Sequence, residues 1–147
     1  MNYDRLEHRF VENIPDLLDS GVLYVSMEYA TAAHSCCCGC GEEVITPFSP
    51  TDWKMTFDGE TITLWPSIGN WSFPCRSHYI IKQGKAIEAL PWSADQVSEG
   101  RQRDRNVKRK FFEQPPQAHL PPEPTTLGSE SKGFWTRLRG RLFGREI

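Results

Sequence analysis

The stretch AHSCCCGCGEE, residues 33–43, places four of the chain's five cysteines within five positions. The N-terminus, MNYDRLEHRF, is charged and lacks the apolar segment of a secretory signal, and no run of ~18 apolar residues predicts a transmembrane helix. We therefore expect a cytoplasmic protein, in a reducing compartment where disulfides rarely persist. An odd number of cysteines also disfavours a closed disulfide framework. The five are Cys36, Cys37, Cys38, Cys40 and Cys75.

These thiols predict a metal site. Thiolates are soft ligands, and four of them complete a closed tetrahedral Zn2+ site, which would stabilise a domain with a small core. Two ligand spacings compete: a C-x-x-C from Cys37 to Cys40, or a C-x-C-x-C that begins at Cys36. The distant half of the site is Cys75, with or without His78. Reduced, partly buried thiols or a redox C-x-x-C are the alternatives, although no thioredoxin-like βαβ pattern surrounds the motif.

Short β-strands are predicted on both sides of the cysteines. Residues 22–27 alternate and are rich in β-branched and aromatic side chains, and EEVITPF, residues 42–48, predicts a second short strand that ends near Pro47. Two further alternating runs, 54–57 and 61–65, flank Asp58-Gly59, a dipeptide that favours a tight hairpin turn. Residues 77–90 have the pattern of a second hairpin.

Together these elements predict a mostly β fold, a small antiparallel zinc-stabilised β-domain over residues 1–92. Residues 1–20 are expected to be a polar lead-in, and the cysteine loop is expected to follow the first strand at once. Aromatic side chains at alternating strand positions, such as Trp65, are expected in the core. His34 is expected to be buried or to donate a hydrogen bond beside the metal.

The composition changes after residue 92. Residues 93–113 predict a charged helix with Ser93 as its N-cap, and 114–130 a Pro-rich linker. The basic amphipathic segment 131–147 favours docking to a partner protein over self-docking or a membrane surface. No nucleic-acid partner is expected, because no base-reading motif accompanies the basic residues.

Three motifs occur together within residues 10–92: a Cys-x-Cys-Gly-Cys-Gly turn, a Pro-Ser-Ile step and a Cys-x-Ser-His entry into a strand. Their residues are Cys36, Cys38, Gly39, Cys40 and Gly41; Pro66, Ser67 and Ile68; Cys75, Ser77 and His78. The combination resembles a bacterial family of small zinc-binding proteins of unassigned function, found near ubiquitin-like conjugation genes. The resemblance implies a ubiquitin-like protein or its conjugating machinery as the partner, and Cys37 as a bystander. The zinc ligands that it implies are Cys36, Cys38, Cys40 and Cys75.

Ser67 and His78 are a candidate catalytic pair. A serine hydroxyl is a weak nucleophile until a base accepts its proton, and antiparallel neighbours could bring His78 within reach of Ser67, just past a strand end. Backbone N–H groups of 67–69 could form an oxyanion hole. The alternative is that His78, at C-x-x-H spacing from Cys75, is a zinc ligand. Candidates for a third catalytic group are Asp52, Asp58 and Glu43.

Two functions from different classes follow. The first is a serine hydrolase that processes or removes a ubiquitin-like modifier, with Ser67 as nucleophile, His78 as base and zinc in a structural role. The second is a non-catalytic zinc-binding adaptor that recruits the modifier, a conjugating enzyme or a target. A zinc hydrolase is disfavoured, because it needs an open coordination position that a four-cysteine site lacks.

Overall fold

The computed structural model describes residues 1–113, which form eight strands and one helix. The strands make two four-stranded sheets, and all strand pairs but one are antiparallel. The predicted mostly β fold is confirmed. The predicted Pro-rich linker 114–130 and the amphipathic segment 131–147 lie outside the described residues.

The first sheet has the strand order β1-β2-β3-β4. β1 (Glu7–Phe10) pairs in parallel with β2 (Val22–Ser26), and β3 (Thr31–Ser35) and β4 (Glu43–Pro47) continue the sheet antiparallel. The sequence predicts β2 and β4 but misses the other two. β1 is a largely exposed edge strand without apolar alternation, and β3 consists mainly of small residues, so neither has the pattern of a half-buried strand.

The second sheet is a meander of four antiparallel strands. They are β5 (Lys54–Phe57), β6 (Ile62–Gly69), β7 (His78–Lys82) and β8 (Lys85–Glu88). Both predicted hairpins are confirmed. The expectation that Ser67 lies past a strand end is wrong, because pairing with β7 extends β6 through the Pro-Ser-Ile step.

Both sheets contribute to one hydrophobic core. Leu23 and Val25 of the first sheet and Leu64, Ile68 and Ile81 of the second belong to the same cluster of buried side chains. Since burial of apolar area is the main favourable term in folding, this shared core holds the sheets together.

Trp65 lies outside this core, with 69% of its surface exposed. The expectation that it is a core residue is therefore wrong. Trp65 lies next to an irregularity in the pairing of β6 with β7, between Leu64 and Ile68, and such irregularities redirect side chains.

The charged helix is confirmed as α1 (Ala94–Glu113). The Ser93 hydroxyl accepts a hydrogen bond from the Gln96 N–H at 3.2 Å, and the Gln96 side chain accepts one from the Ser93 N–H at 2.8 Å. This reciprocal pair is a capping box, which stabilises a helix start. Within residues 1–113, no helix is both long and apolar enough to cross a membrane.

Candidate functional site

Four cysteines from two separate loops converge on one point. Three follow β3 and the fourth precedes β7, and their Sγ atoms all lie within 4.8 Å of one another. The separation is 3.4 Å between Cys36 and Cys38, and 3.6 Å between Cys40 and Cys75. In a tetrahedral site with Zn–S bonds of ~2.3 Å, neighbouring sulfurs are about 3.8 Å apart. The donor set therefore fits a four-thiolate metal centre, and among the described residues neither His78 nor Cys37 belongs to it.

The turn that carries the first three cysteines depends on its glycines. Gly39 and Gly41 have φ of +87° and +83°, in the left-handed region that side chains disfavour. The Gly39 N–H donates to the Cys36 carbonyl at 2.9 Å, and the Cys36 N–H donates to the Glu42 carbonyl at 2.8 Å. These bonds fold the turn so that cysteines separated by one residue present their thiols to the same point.

Cys38, Cys40 and Cys75 differ in how readily their thiols ionise. Burial and the hydrogen bond with Cys36 raise the pKa of Cys38 to about 12, and burial also raises the pKa of Cys40. Burial opposes ionisation of Cys75 too, but hydrogen bonds from Ser77 outweigh it and lower its pKa to about 7. Metal ligation requires thiolates, so a bound cation would supply the positive charge that favours ionisation of Cys38 and Cys40.

A buried polar network lies next to the cysteines. His34 Nε2 is 2.8 Å from the Tyr79 hydroxyl, and the Asn70 side chain donates to the Ser77 hydroxyl at 2.9 Å. The Ser77 hydroxyl lies 3.2 Å from Cys36 Sγ. Burial lowers the pKa of His34 to about 4, which keeps its imidazole neutral. His34 is thus buried, as the sequence predicts, and its hydrogen bond goes to Tyr79.

The second sheet brings Ser67 and His78 together. Gly69 of β6 lies directly opposite His78 of β7. Since alternate residues of a strand share a face, Ser67 lies on the same face, two positions along β6 and diagonal to His78. His78 Nε2 is 3.0 Å from Ser67 Oγ. His78 is only 8% exposed, and Ser67 is half-buried.

The other ring nitrogen decides which tautomer His78 adopts. His78 Nδ1 lies 2.7 Å from the carbonyl oxygen of Leu90. A carbonyl can only accept a hydrogen bond, so we assign the proton to Nδ1. In the neutral imidazole, Nε2 then carries the lone pair and accepts a hydrogen bond from the Ser67 hydroxyl.

The three carboxylates considered as a third group all lie elsewhere. Asp52 accepts a hydrogen bond from Ser49 and forms an ion pair with Lys108, each at 2.6 Å. Asp58 accepts hydrogen bonds within its own hairpin turn, and Glu43 is exposed on β4. Within residues 1–113, none of them is a hydrogen-bond partner of His78, and the Leu90 carbonyl takes that place. Sequence reasoning misses this contact, because a backbone carbonyl is common to all residues.

Comparison with known proteins assigns the chain to a family. The model of the BubE family, described as bacterial ubiquitination-like system serine protease, matches residues 10–89. No curated protein and no solved structure matches the chain. The matched segment contains the serine–histidine pair and the four clustered cysteines, and it agrees with the resemblance seen in the sequence. Because this segment covers more than half of the 147 residues, the chain belongs to the BubE family of bacterial ubiquitination-like system serine proteases.

Proposed function

We propose that this protein cleaves the bond that follows the C-terminal end of a ubiquitin-like modifier, in a precursor or in a conjugate. Ser67 is the nucleophile and His78 the general base. The observation that carries the proposal is the 3.0 Å contact between Ser67 Oγ and His78 Nε2. The family to which the chain belongs supports the reaction class.

The tautomer of His78 supports the direction of proton transfer. Ser67 Oγ attacks the substrate carbonyl carbon while its proton passes to Nε2, the ring nitrogen that carries the lone pair. The Nε2 proton then passes to the leaving amine or alcohol, and an acyl-enzyme ester forms on Ser67. Water, deprotonated by the same nitrogen, hydrolyses that ester and restores the free hydroxyl.

Backbone directions support an oxyanion hole next to Ser67. The Ala89 N–H donates to the His78 carbonyl at 2.9 Å, and the Asn70 N–H donates to the Ser77 carbonyl at 2.9 Å. The N–H and C=O groups of His78 therefore point towards β8. The N–H and C=O groups of Gly69, the residue opposite, point away from β7.

The N–H group of Gly69 consequently points to the outer side of β6. On that side, β5 begins at Lys54, which pairs with Trp65, so the pairing stops before Ser67. N–H groups at such an open edge can donate to the negative oxygen that develops when Ser67 attacks a carbonyl.

The clustered cysteines support a structural Zn2+ in this proposal. Cys36, Cys38, Cys40 and Cys75 would fill all four positions of a tetrahedral ion and leave none for water. The ion would join the turn after β3 to the loop before β7. A zinc hydrolase would need an open coordination position for water, which a site with four thiolate ligands does not offer. The adaptor alternative requires no contact between Ser67 and His78.

Covalent labelling tests the proposal. The purified full-length protein is treated with a fluorophosphonate serine-hydrolase probe, and the labelled peptide is identified by mass spectrometry. In parallel, it is incubated with a ubiquitin-like modifier that carries a C-terminal extension. We expect the label on Ser67, and we expect Ser67→Ala to lose both labelling and cleavage.

Ser98→Ala is the matched control, because Ser98 is an exposed serine on α1. This variant should keep both activities. Cleavage of the extended modifier by Ser67→Ala at the wild-type rate, with an unchanged metal content, would overturn the proposal.

A further inference from the structure

Two tryptophans surround the imidazole of His78. The centroid of the Trp71 ring lies 5.0 Å from that of His78, and the centroid of the Trp92 ring lies 5.4 Å from it. The two indoles stack on each other with centroids 5.6 Å apart and an interplanar angle of 18°. His78 is thus held between a hydrogen bond at Nδ1 and two aromatic rings. Aromatic pairs at such distances are favourable beyond the burial of their area.

Glycines make room for both indoles. A Cβ at Gly69 would collide with the indole of Trp71, so the absence of a side chain at Gly69 lets Trp71 lie beside His78. On α1, a Cβ at Gly100 would lie 2.9 Å from Cζ3 of Trp92. The helix therefore lies directly against Trp92, at the one helical position within α1 that has no side chain.

Polar contacts attach α1 to the β-domain beyond this point in the helix. The Arg101 guanidinium donates to the Ser72 hydroxyl at 3.2 Å, next to Trp71 in the chain. Further along, Lys108 forms an ion pair with Asp52 at 2.6 Å. These contacts, together with the capping box at Ser93, keep the start of the helix close to His78.

We propose that Trp92, held in place by α1, is a positioning residue for His78, so that residues 90–113 complete the catalytic site. The inference rests on the proposed function of Ser67 and His78. It goes beyond the family match, which ends at residue 89. Trp92 contacts the imidazole of His78, and α1 acts on that ring through Trp92.

Geometry explains why such support matters. The bond from Nδ1 to the Leu90 carbonyl restrains one ring atom but leaves the ring free to tilt about that contact. The stacked indoles of Trp71 and Trp92 limit the tilt, and so keep Nε2 in line with Ser67 Oγ. A displacement of ~1 Å at a reacting group can cost ~10²-fold in rate.

Replacement of Trp92 is the first test. In Trp92→Ala we expect kcat for cleavage of the extended modifier to fall ~10- to 100-fold, with KM changed less than ~3-fold, because the side chain acts on the base. Labelling of Ser67 by the fluorophosphonate probe should slow by the same factor. Trp92→Phe keeps an aromatic ring over the imidazole and should retain most of the activity.

Gly100→Leu tests the same contact from the helix. The new side chain displaces Trp92 without touching His78, and we expect the same loss of kcat. Ser98→Leu is the matched control, since it places the same side chain at an exposed position of the same helix. It should leave kcat unchanged. Both variants should keep their metal, because α1 contributes no cysteine.

Proton NMR gives a readout that does not depend on turnover. In the wild-type protein, the His78 Nδ1–H should give a slowly exchanging downfield signal, which Trp92→Ala and Gly100→Leu broaden or shift and Ser98→Leu preserves. If Trp92→Ala keeps the signal and the wild-type kcat, the positioning role is overturned. If Ser67→Ala stays active, the proposed function fails instead, whatever Trp92 does.

Discussion

The cysteine cluster (Cys36, Cys38, Cys40 and Cys75) and the proposed catalytic pair (Ser67 and His78) lie on opposite faces of the second sheet. Successive side chains of an extended chain point to opposite sides. Ser77, just before β7, contacts Cys36 and Cys75 on the core side. His78, the next residue, contacts the pair's serine on the other side. One short stretch therefore serves both sites.

The two sites differ in what they connect. The cysteine cluster joins a turn of the first sheet to a loop of the second, whereas the catalytic pair lies within the second sheet. Damage to the cluster should thus act on the whole fold, and damage to the pair should act on the reaction alone. Each prediction below tests this separation.

Removal of a clustered thiol should have the largest effect. Binding of a structural zinc contributes an apparent ~10–16 kcal/mol, comparable with or larger than the ~5–15 kcal/mol stability of a typical domain. We therefore expect Cys38→Ser to lose its metal and to unfold the β-domain. Metal content by plasma mass spectrometry and far-UV circular dichroism measure both results.

Cys37→Ala is the matched control. Cys37 is buried in the core and is not part of the cluster, so this variant should keep its metal. A small cavity should lower the free energy of unfolding by about 1–2 kcal/mol. A Cys38→Ser protein that stays folded with a full complement of metal would contradict the structural role of the cluster.

His78→Gln should abolish most of the activity without affecting the metal. Loss of a general base typically costs ~10²–10⁴-fold in rate, while the cluster contains no histidine. We expect kcat for modifier cleavage to fall within that range, with metal content and melting temperature close to wild type. His8→Gln, a change at a histidine on β1, is the control. Loss of metal in His78→Gln alone would revive the interpretation of His78 as a ligand.

The cysteine cluster is the more predictable site from the sequence. Four cysteines crowded into one turn predict a metal site from residue type, but the choice among Cys36, Cys37 and His78 as ligands comes only from the family resemblance. The catalytic pair is harder to predict, since its geometry depends on the register that places Gly69 opposite His78. The sequence identifies both side chains as candidates, but places Ser67 in a loop.

The contacts that support His78 are less predictable still. One of these contacts is with the backbone carbonyl of Leu90, and residue type does not predict it, because every residue has a backbone carbonyl. The Trp92 contact depends on how α1 lies against the β-domain, and a pattern of exposed charges does not specify that. Among the strands, alternation of apolar and polar residues predicts the half-buried ones. The exposed edge strand β1 and the small residues of β3 do not show this alternation.

Tyr79→Phe should weaken the fold by a moderate amount. The Tyr79 hydroxyl bonds to the imidazole of His34, which is fully buried between the sheets and whose ring has no other hydrogen-bond partner among the described residues. Leaving that imidazole unpaired should cost about 1–3 kcal/mol, measured by urea denaturation of the metal-bound protein. Tyr24→Phe removes a bond to Asp19 near the surface and should cost less. Equal losses in the two variants would argue against a special contribution from the buried pair.

Trp65→Ala should have the smallest effect, and one confined to substrate binding. Trp65 is 69% exposed two residues before Ser67, and Leu90, whose carbonyl bonds His78, is 84% exposed. These apolar surfaces flank the catalytic pair and are available to a substrate chain. Loss of about 1 kcal/mol of contact should raise KM roughly 5-fold and leave kcat unchanged, because the contact is equal in ground and transition states.

Ile45→Ala tests whether the rise in KM requires an apolar side chain close to Ser67 or follows the loss of any exposed apolar side chain. Ile45 is also exposed, at 56%, but it lies on β4 of the first sheet, so its loss should not change KM. Steady-state cleavage of the extended modifier measures both variants. If the two raise KM equally, the modifier contacts both sheets, and the catalytic face of the second sheet is then only part of its binding surface.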